Sequence, residues 1–187
     1  MGKVIVEQIV SADGYAAYKD GGIGFFDASG DFREGEDEQM KRLRSVGAIV
    51  FGATTYRMFA DYWPGADEKV ERVAGPINSL PKFVVSNTLR SAPWGEKDEV
   101  EILRGDGIES VRRLRQRIDG DLMIWGSLTL TDALFRARQV DVLRLRMIAM
   151  LLGEGRSFAP DGLGDLKLAL QSVRAYPSGH IVMQYSA

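Results

Sequence analysis

The stretch Ala48-Ile49-Val50-Phe51-Gly52-Ala53-Thr54-Thr55 decides the fold: an apolar run halts at Gly and passes straight into two threonines. Two later stretches repeat the pattern, Lys82-Phe83-Val84-Val85-Ser86-Asn87-Thr88 and Asp121-Leu122-Met123-Ile124-Trp125-Gly126-Ser127. Short apolar runs that end on small residues read as buried strands of an α/β sheet, and ligands bind beyond the carboxyl ends of such strands. Three such ends side by side offer small side chains, hydroxyls and backbone N–H groups to one phosphorylated ligand.

Outward from these runs, strand and helix signals alternate. Lys3–Val10 reads as a first strand, ended by the turn Ser11-Ala12-Asp13-Gly14. A helix beginning near Glu36–Glu38 carries Met40, Leu43 and Val46 inward, and the acids suit its positive N-terminus. Thr54–Tyr62 reads as a short helix that stops before Pro64, and Ala66–Ile77 as another. Glu99–Leu103 is a further strand; Ile108–Ile118 is an amphipathic helix, apolar at Ile108, Val111, Leu114 and Ile118. The helix after Trp125 uses Leu130, Ala133, Leu134 and Ala137. This alternation implies a largely parallel sheet. The last third changes: Val142–Met150, Leu166–Val173 and His180–Tyr185 alternate as antiparallel strands added to one edge. With neither repeat nor low-complexity linker, residues 1–187 form one domain.

Composition removes several classes of function. A chain of 187 residues, 45% hydrophobic and 27% charged, buries a real core, and a net charge of −2 gives no electrostatic reason for a nucleic-acid or anionic-membrane partner. No apolar stretch is long enough to span a membrane, so the expected setting is cytoplasmic. The absence of Cys excludes disulfides, thiolate metal sites and Cys nucleophiles; with one His, His180, read as structural, no metal site is expected. Arg112, Arg113, Arg115 and Arg117 form the solvated face of their helix rather than a nucleic-acid patch.

The order of motifs resembles the dihydrofolate reductase-like superfamily, and more closely its branch containing the reductase domain of riboflavin biosynthesis, the RibD C-terminal domain. The matching pieces are Ser11-Ala12-Asp13-Gly14, Gly52-Ala53-Thr54-Thr55-Tyr56, Tyr62-Trp63-Pro64, Pro81–Ser86, Gly126-Ser127 and Leu152-Gly153-Glu154-Gly155 before Phe158. They fall in family order across nearly the whole chain. The resemblance implies a single-domain fold with a mixed, mostly parallel central sheet, flanking helices and antiparallel C-terminal edge strands.

It also implies NADPH laid across the strand ends. Gly52, Ala53, Thr54 and Thr55 match the Gly-x-x-Thr that opens a helix beside the cofactor phosphates, where exposed amides make an anion site. Ser86, Asn87 and Thr88 match the segment near the adenosine, and Gly126, Ser127, Leu128 and Thr129 the tight passage against the diphosphate. Ala53 and Asn87 stand where the family usually places Arg for the 2′-phosphate, so NADH stays open beside NADPH. Arg57, Arg90 or Arg104 are the candidate replacements.

For the chemistry, the resemblance points to Asp13 of the Ser-x-Asp-Gly turn and to Glu36, which has the separation from Gly52 of the carboxylate that folate reducers use. Tyr15, Tyr56 and Trp63 are the expected substrate contacts, with Phe25, Phe26 and Tyr62 as further aromatic wall for a flat heterocycle. The Gly-rich, acidic segment Lys19–Glu38 reads as a lid. Leu143, Leu145 and Met147 are candidates for a homodimer interface. Three functions remain: an NAD(P)H-dependent reductase of a small heterocycle or carbonyl compound, a non-catalytic ligand-binding protein on the same fold, and the riboflavin-pathway aminopyrimidine reductase. The last would need a separate deaminase, since the chain carries no deaminase or zinc motif.

Overall fold

A computed structural model describes residues 1–29, 33–96 and 98–187. Eight strands form the main sheet: β1 (Val4–Ser11), β3 (Val46–Gly52), β4 (Lys82–Val85), β7 (Glu101–Leu103), β8 (Asp121–Trp125), β9 (Val142–Ile148), β11 (Ala169–Ala175) and β12 (Ile181–Ser186), in the order β11-β12-β9-β1-β8-β3-β4-β7. From β9 to β7 all neighbours are parallel; β12 and β11 are antiparallel. Two small antiparallel pairs lie outside it, β2 (Tyr15–Ala17) with β10 (Arg156–Ser157) and β5 (Pro93–Trp94) with β6 (Asp98–Glu99).

Helices cover both faces. On one, α4 (Gly107–Arg117) and α5 (Leu128–Arg136) bury Val111, Leu114, Leu130, Leu134 and Phe135 against Val6, Val50, Leu122 and Ile124. On the other, α1 (Glu36–Leu43), α2 (Ala53–Tyr62) and α3 (Ala74–Ser79) bring Leu43, Tyr56 and Ile77 onto Ile5, Ile49, Phe51 and Met123. Continuous apolar runs in β3 and β8 follow from this double cover. Local chemistry sets the helix ends. α1 opens on Glu36, Asp37 and Glu38 and closes on Lys41 and Arg42, matching its dipole. α4 is capped by Asp106, whose carboxylate accepts from Glu109 N at 2.9 Å.

The structure departs from the sequence reading in definite places. The helix expected over Ala66–Ile77 is only Ala74–Ser79, because Asp67 captures the Lys69 amide with its side chain and the Val70 and Glu71 amides with its carbonyl, closing a separate turn. Val46 belongs to β3 and not to the helix before it. The strand from Val142 is interior and parallel to β1, so the antiparallel part begins only at β12. Consequently Leu143 and Leu145 are core residues and Met147 packs against them, which removes the face offered for a dimer. Arg115 is drawn off the solvated face of α4 to donate to Gly2 O and pair with Asp141. Of the segment Lys19–Glu38, residues 30–32 lie outside the described residues; Gly24–Ser29 is a 3₁₀ turn and α1 takes over from Glu36.

Candidate cofactor and substrate site

The strand order sets β8, β3 and β4 side by side with carboxyl ends together, which brings Gly52–Thr55, Ser86–Thr88 and Gly126–Thr129 to one edge. Two of these ends are laced to each other. The Ser127 hydroxyl accepts from Gly52 N at 2.8 Å and donates to Trp125 O at 2.8 Å, while Ser127 N donates to Thr55 Oγ1 at 2.9 Å. Such reach requires Gly126 and Ser127 both in the left-handed region, at φ 53° and 57°. A Cβ on Gly126 would meet Thr55 Oγ1 at 3.1 Å.

The lacing leaves α2 and α5 starting side by side, and neither has a side-chain cap. First-turn amides of a helix have no intrahelical acceptor, so Ala53, Thr54, Leu128 and Thr129 present N–H groups at two positive helix ends. A diphosphate matches that donor set. The third end is used internally. Ser86 Oγ accepts from the Thr88 and Leu89 amides, Asn87 pairs its side-chain amide with both backbone groups of Gly105, and Arg104 donates to Ser86 O and Leu89 O. Arg104 is thereby committed to bracing this turn, whereas Arg57 and Arg90 are exposed.

On the other flank, β1 runs past the end of β8. Gly126 N donates to Glu7 O at 3.1 Å, level with Trp125, and β1 continues to Ser11 without β8 beside it. Gln8 points to the α5 side, where its amide donates to Gly126 O at 2.6 Å. Glu7 points to the α1 side and pairs with Arg144 at 2.9 Å, both almost fully buried. Burial by itself would raise the Glu7 carboxyl; Arg144, and behind it Arg146, outweigh that and hold it below the usual carboxylate range.

Asp13 ties the first turn to the loop after β9. Its carboxylate accepts from Ser11 Oγ at 2.5 Å, from Leu152 N at 3.1 Å and from Gly153 N at 2.7 Å. The Ser11 bond, with those two amides, holds its pKa below that of an ordinary aspartate despite some desolvation. Glu36 accepts from Val73 N at 3.2 Å, which ties α1 to the turn before α3. Of the expected substrate contacts, Tyr15 stands half-buried on β2. Tyr56 is buried, its hydroxyl donating to Pro93 O at 2.6 Å; Trp63 packs its ring on Phe59, which stacks on Trp125. His180 is buried and stacked on Tyr176, with Nδ1 2.6 Å from Ser178 Oγ.

The RibD C-terminal domain profile matches residues 2–182. This chain belongs to the RibD C-terminal domain family. Within reach of it, the Bacillus subtilis (strain 168) "Uncharacterized protein YyaP" is 24% identical over 188 residues, covering 98% of this chain and 94% of that protein. A Shewanella sp. PV-4 crystal structure, "Putative riboflavin biosynthesis protein", superposes with a TM-score of 0.78 at 19% identity, over 100% of this chain and 98% of that one. Dihydrofolate reductase from Enterococcus faecalis, complexed with NADP(H), superposes with a TM-score of 0.56 at 15% identity, over 99% and 96%. The RibD C-terminal domain fold and the dihydrofolate reductase-like sheet are therefore shared along the whole length.

Sequence reasoning missed Glu7, Arg144, Arg146 and Gln39. The signal was present: a charged residue inside the apolar run of β1, and two arginines alternating along β9. Arg144 and Arg146 are 5% and 6% exposed, so these alternates meet protein partners rather than water, Glu7 and Gln184 for Arg144 and Gln39 for Arg146.

Proposed function

We propose that this RibD C-terminal domain protein is an NAD(P)H-dependent reductase of a small heterocyclic or carbonyl substrate. The observation that carries this reading is the pair of uncapped helix N-termini, α2 and α5, locked side by side through Ser127. The NADP(H) complex of the Enterococcus faecalis reductase on a similar fold supports it. In this reading the first-turn amides of Ala53, Thr54, Leu128 and Thr129 hold the diphosphate, and Gly126 allows close backbone approach. The bound dinucleotide supplies a hydride.

The chain's own residues place the partners. Trp125, Phe59 and Trp63 form an aromatic wall beside the Gly126 turn. Asp13 and Glu36 act as positioning residues: Asp13 Oδ2 fixes the Gly153 loop and Glu36 Oε1 fixes the start of α3. Both Asp13 and Glu7 stay ionised at neutral pH, so neither stores the proton that completes reduction, and water reaching the cleft delivers it. That same feature favours a second reading, a ligand-binding protein that no longer turns over. Oxidation of NADPH by the purified protein, followed against a panel of pterins, pyrimidines and carbonyl compounds, separates the two. The reductase reading expects oxidation that depends on one added substrate class; saturating NADPH binding with no oxidation across the panel would contradict it. Conversion of the aminopyrimidine ribosyl intermediate of riboflavin synthesis would identify the third possibility.

A further inference from the structure

The last hairpin carries an uncovered apolar face. β11 closes the sheet on one side, and all seven of its residues, Ala169–Ala175, are exposed. Register says which way they point. Residues directly opposite one another in an antiparallel pair share a face, and Leu170 stands opposite Tyr185, Val173 opposite Met183. Three positions apart, Leu170 and Val173 would point to opposite faces of a regular strand. The register shift between Leu170 and Ser172 inserts Gln171 as a bulge and brings both to the same face. Across β12, Tyr185 and Met183 stand opposite Leu143 and Leu145 of β9, which are core. One apolar face thus runs from β9 through β12 to β11, on the side of α4 and α5.

Its cover stops short of the edge. Leu143 and Leu145 are buried, Met183 and Tyr185 are half-buried against the same core, and Leu170 and Val173 are 58% and 59% exposed. This face of β11 is also uncharged: Arg174, next to Val173 and so on the other face, lies 3.9 Å from Glu38 of α1. Natural edge strands are blunted by proline, lysine or a covering segment, and β11 has neither proline nor lysine. Its bulge, which elsewhere blunts an edge, here gathers two apolar side chains. The total area agrees with a missing cover. The chain exposes 9897 Å², whereas a folded monomer of 20.7 kDa exposes about 8,900 Å². That surplus of roughly 1,000 Å² is close to the area, about 800 Å², that one partner contributes to a stable interface. An uncharged apolar face is self-complementary, since two copies related by a two-fold axis meet there without like-charge repulsion.

We propose that a second copy of this chain covers this face, packing Leu170 and Val173 of one protomer against those of its partner about a two-fold axis. The bulge at Gln171 is then the feature that builds the interface, because it alone sets the two side chains on one side of the strand.

The test is sedimentation velocity of the purified full chain from about 1 μM to about 100 μM, the weak end of the range in which an interface of this size holds. Over the upper part of that range the wild type should sediment with twice the chain mass. Leu170→Lys and Val173→Lys each place like charges together across the axis, and should weaken the dimer about tenfold or more. Both side chains are exposed in the single chain, so the two substitutions keep the fold, which circular dichroism checks. Ser172→Lys, on the α1 face of the same strand, should leave the dimer intact. A wild type that stays monomeric throughout would leave the face to a different occupant and overturn the proposal. So would a dimer that survives both Leu170→Lys and Val173→Lys, or one that Ser172→Lys disrupts as strongly.

Discussion

The two halves of the cleft are built in opposite ways. The half formed by the ends of β3 and β8 is made of Gly, Ser and Thr, and its groups reach one another through backbone amides and two hydroxyls. The half formed by β1, β9 and α1 is made of long side chains of which, among the described residues, only Arg144 of the three arginines has a carboxylate within 4.0 Å. The first is complete in itself and exposes only helix ends; the second leaves Arg42 Nε without an acceptor among the described residues. Backbone geometry fixes the first half, whereas the second depends on which long side chains the neighbouring strands bring level.

Breaking the charged half should cost the most. Glu7→Ala leaves Arg144 buried with no carboxylate, and chemical denaturation should show a loss of about 3–5 kcal/mol, with much of it recovered in Glu7→Leu/Arg144→Met. If the single change costs less than about 1 kcal/mol, the pair is wetter than its burial indicates. The pair also sets an acid limit. Because the Glu7 pKa is lowered on folding, its stabilisation is fully present above its ordinary value of 4.5 and is lost as pH falls through its lower folded value. An acid midpoint that does not move upward in Glu7→Gln would contradict this.

Changes in the laced half should be smaller in stability and larger in cofactor affinity. Ser127→Ala removes the acceptor of Gly52 N and the donor to Trp125 O, for about 1–3 kcal/mol by denaturation. Gly126→Ala puts a Cβ at φ 53° against Thr55 Oγ1, a cost of about 1–2 kcal/mol, and should weaken NADPH at least as much as Ser127→Ala does.

The smallest effect belongs to the tether between the turn after β1 and the loop after β9. Asp13→Asn should speed hydrogen exchange at Gly153 N and leave the melting temperature close to wild type. Since the Asp13 pKa is lowered on folding, the protection it gives is present above its ordinary value of 3.8 and fades as pH falls through the lower folded value. Unchanged exchange at Gly153 would remove Asp13 as the tether.

The same contrast explains what the sequence made legible. Gly52, Thr55, Gly126 and Ser127 announce themselves because Gly and hydroxyl residues at strand ends are local signals, carried by the chain around them. The long helix read over Ala66–Ile77 failed because apolar spacing does not register that Asp67 turns the chain back on its own amides. Leu143 and Leu145 were visible as an alternating face, but which face of β9 is core depends on β1 and β12, distant in sequence, lying either side of it. Glu7 and Arg144 are 137 positions apart, so no local pattern joins them. Their meaning appears only when the parallel register brings them level.

The most direct test of the account is titration of the wild-type protein with NADPH and with NADH, followed by tryptophan fluorescence. Trp125 is 7% exposed and immediately precedes Gly126, so occupation of the paired helix ends should change its emission. The account predicts saturable binding of at least one dinucleotide, abolished or much weakened in Gly126→Ala. Absence of binding by both, in a protein that melts cooperatively, would contradict the cofactor site and leave the RibD C-terminal domain fold without a reductase role.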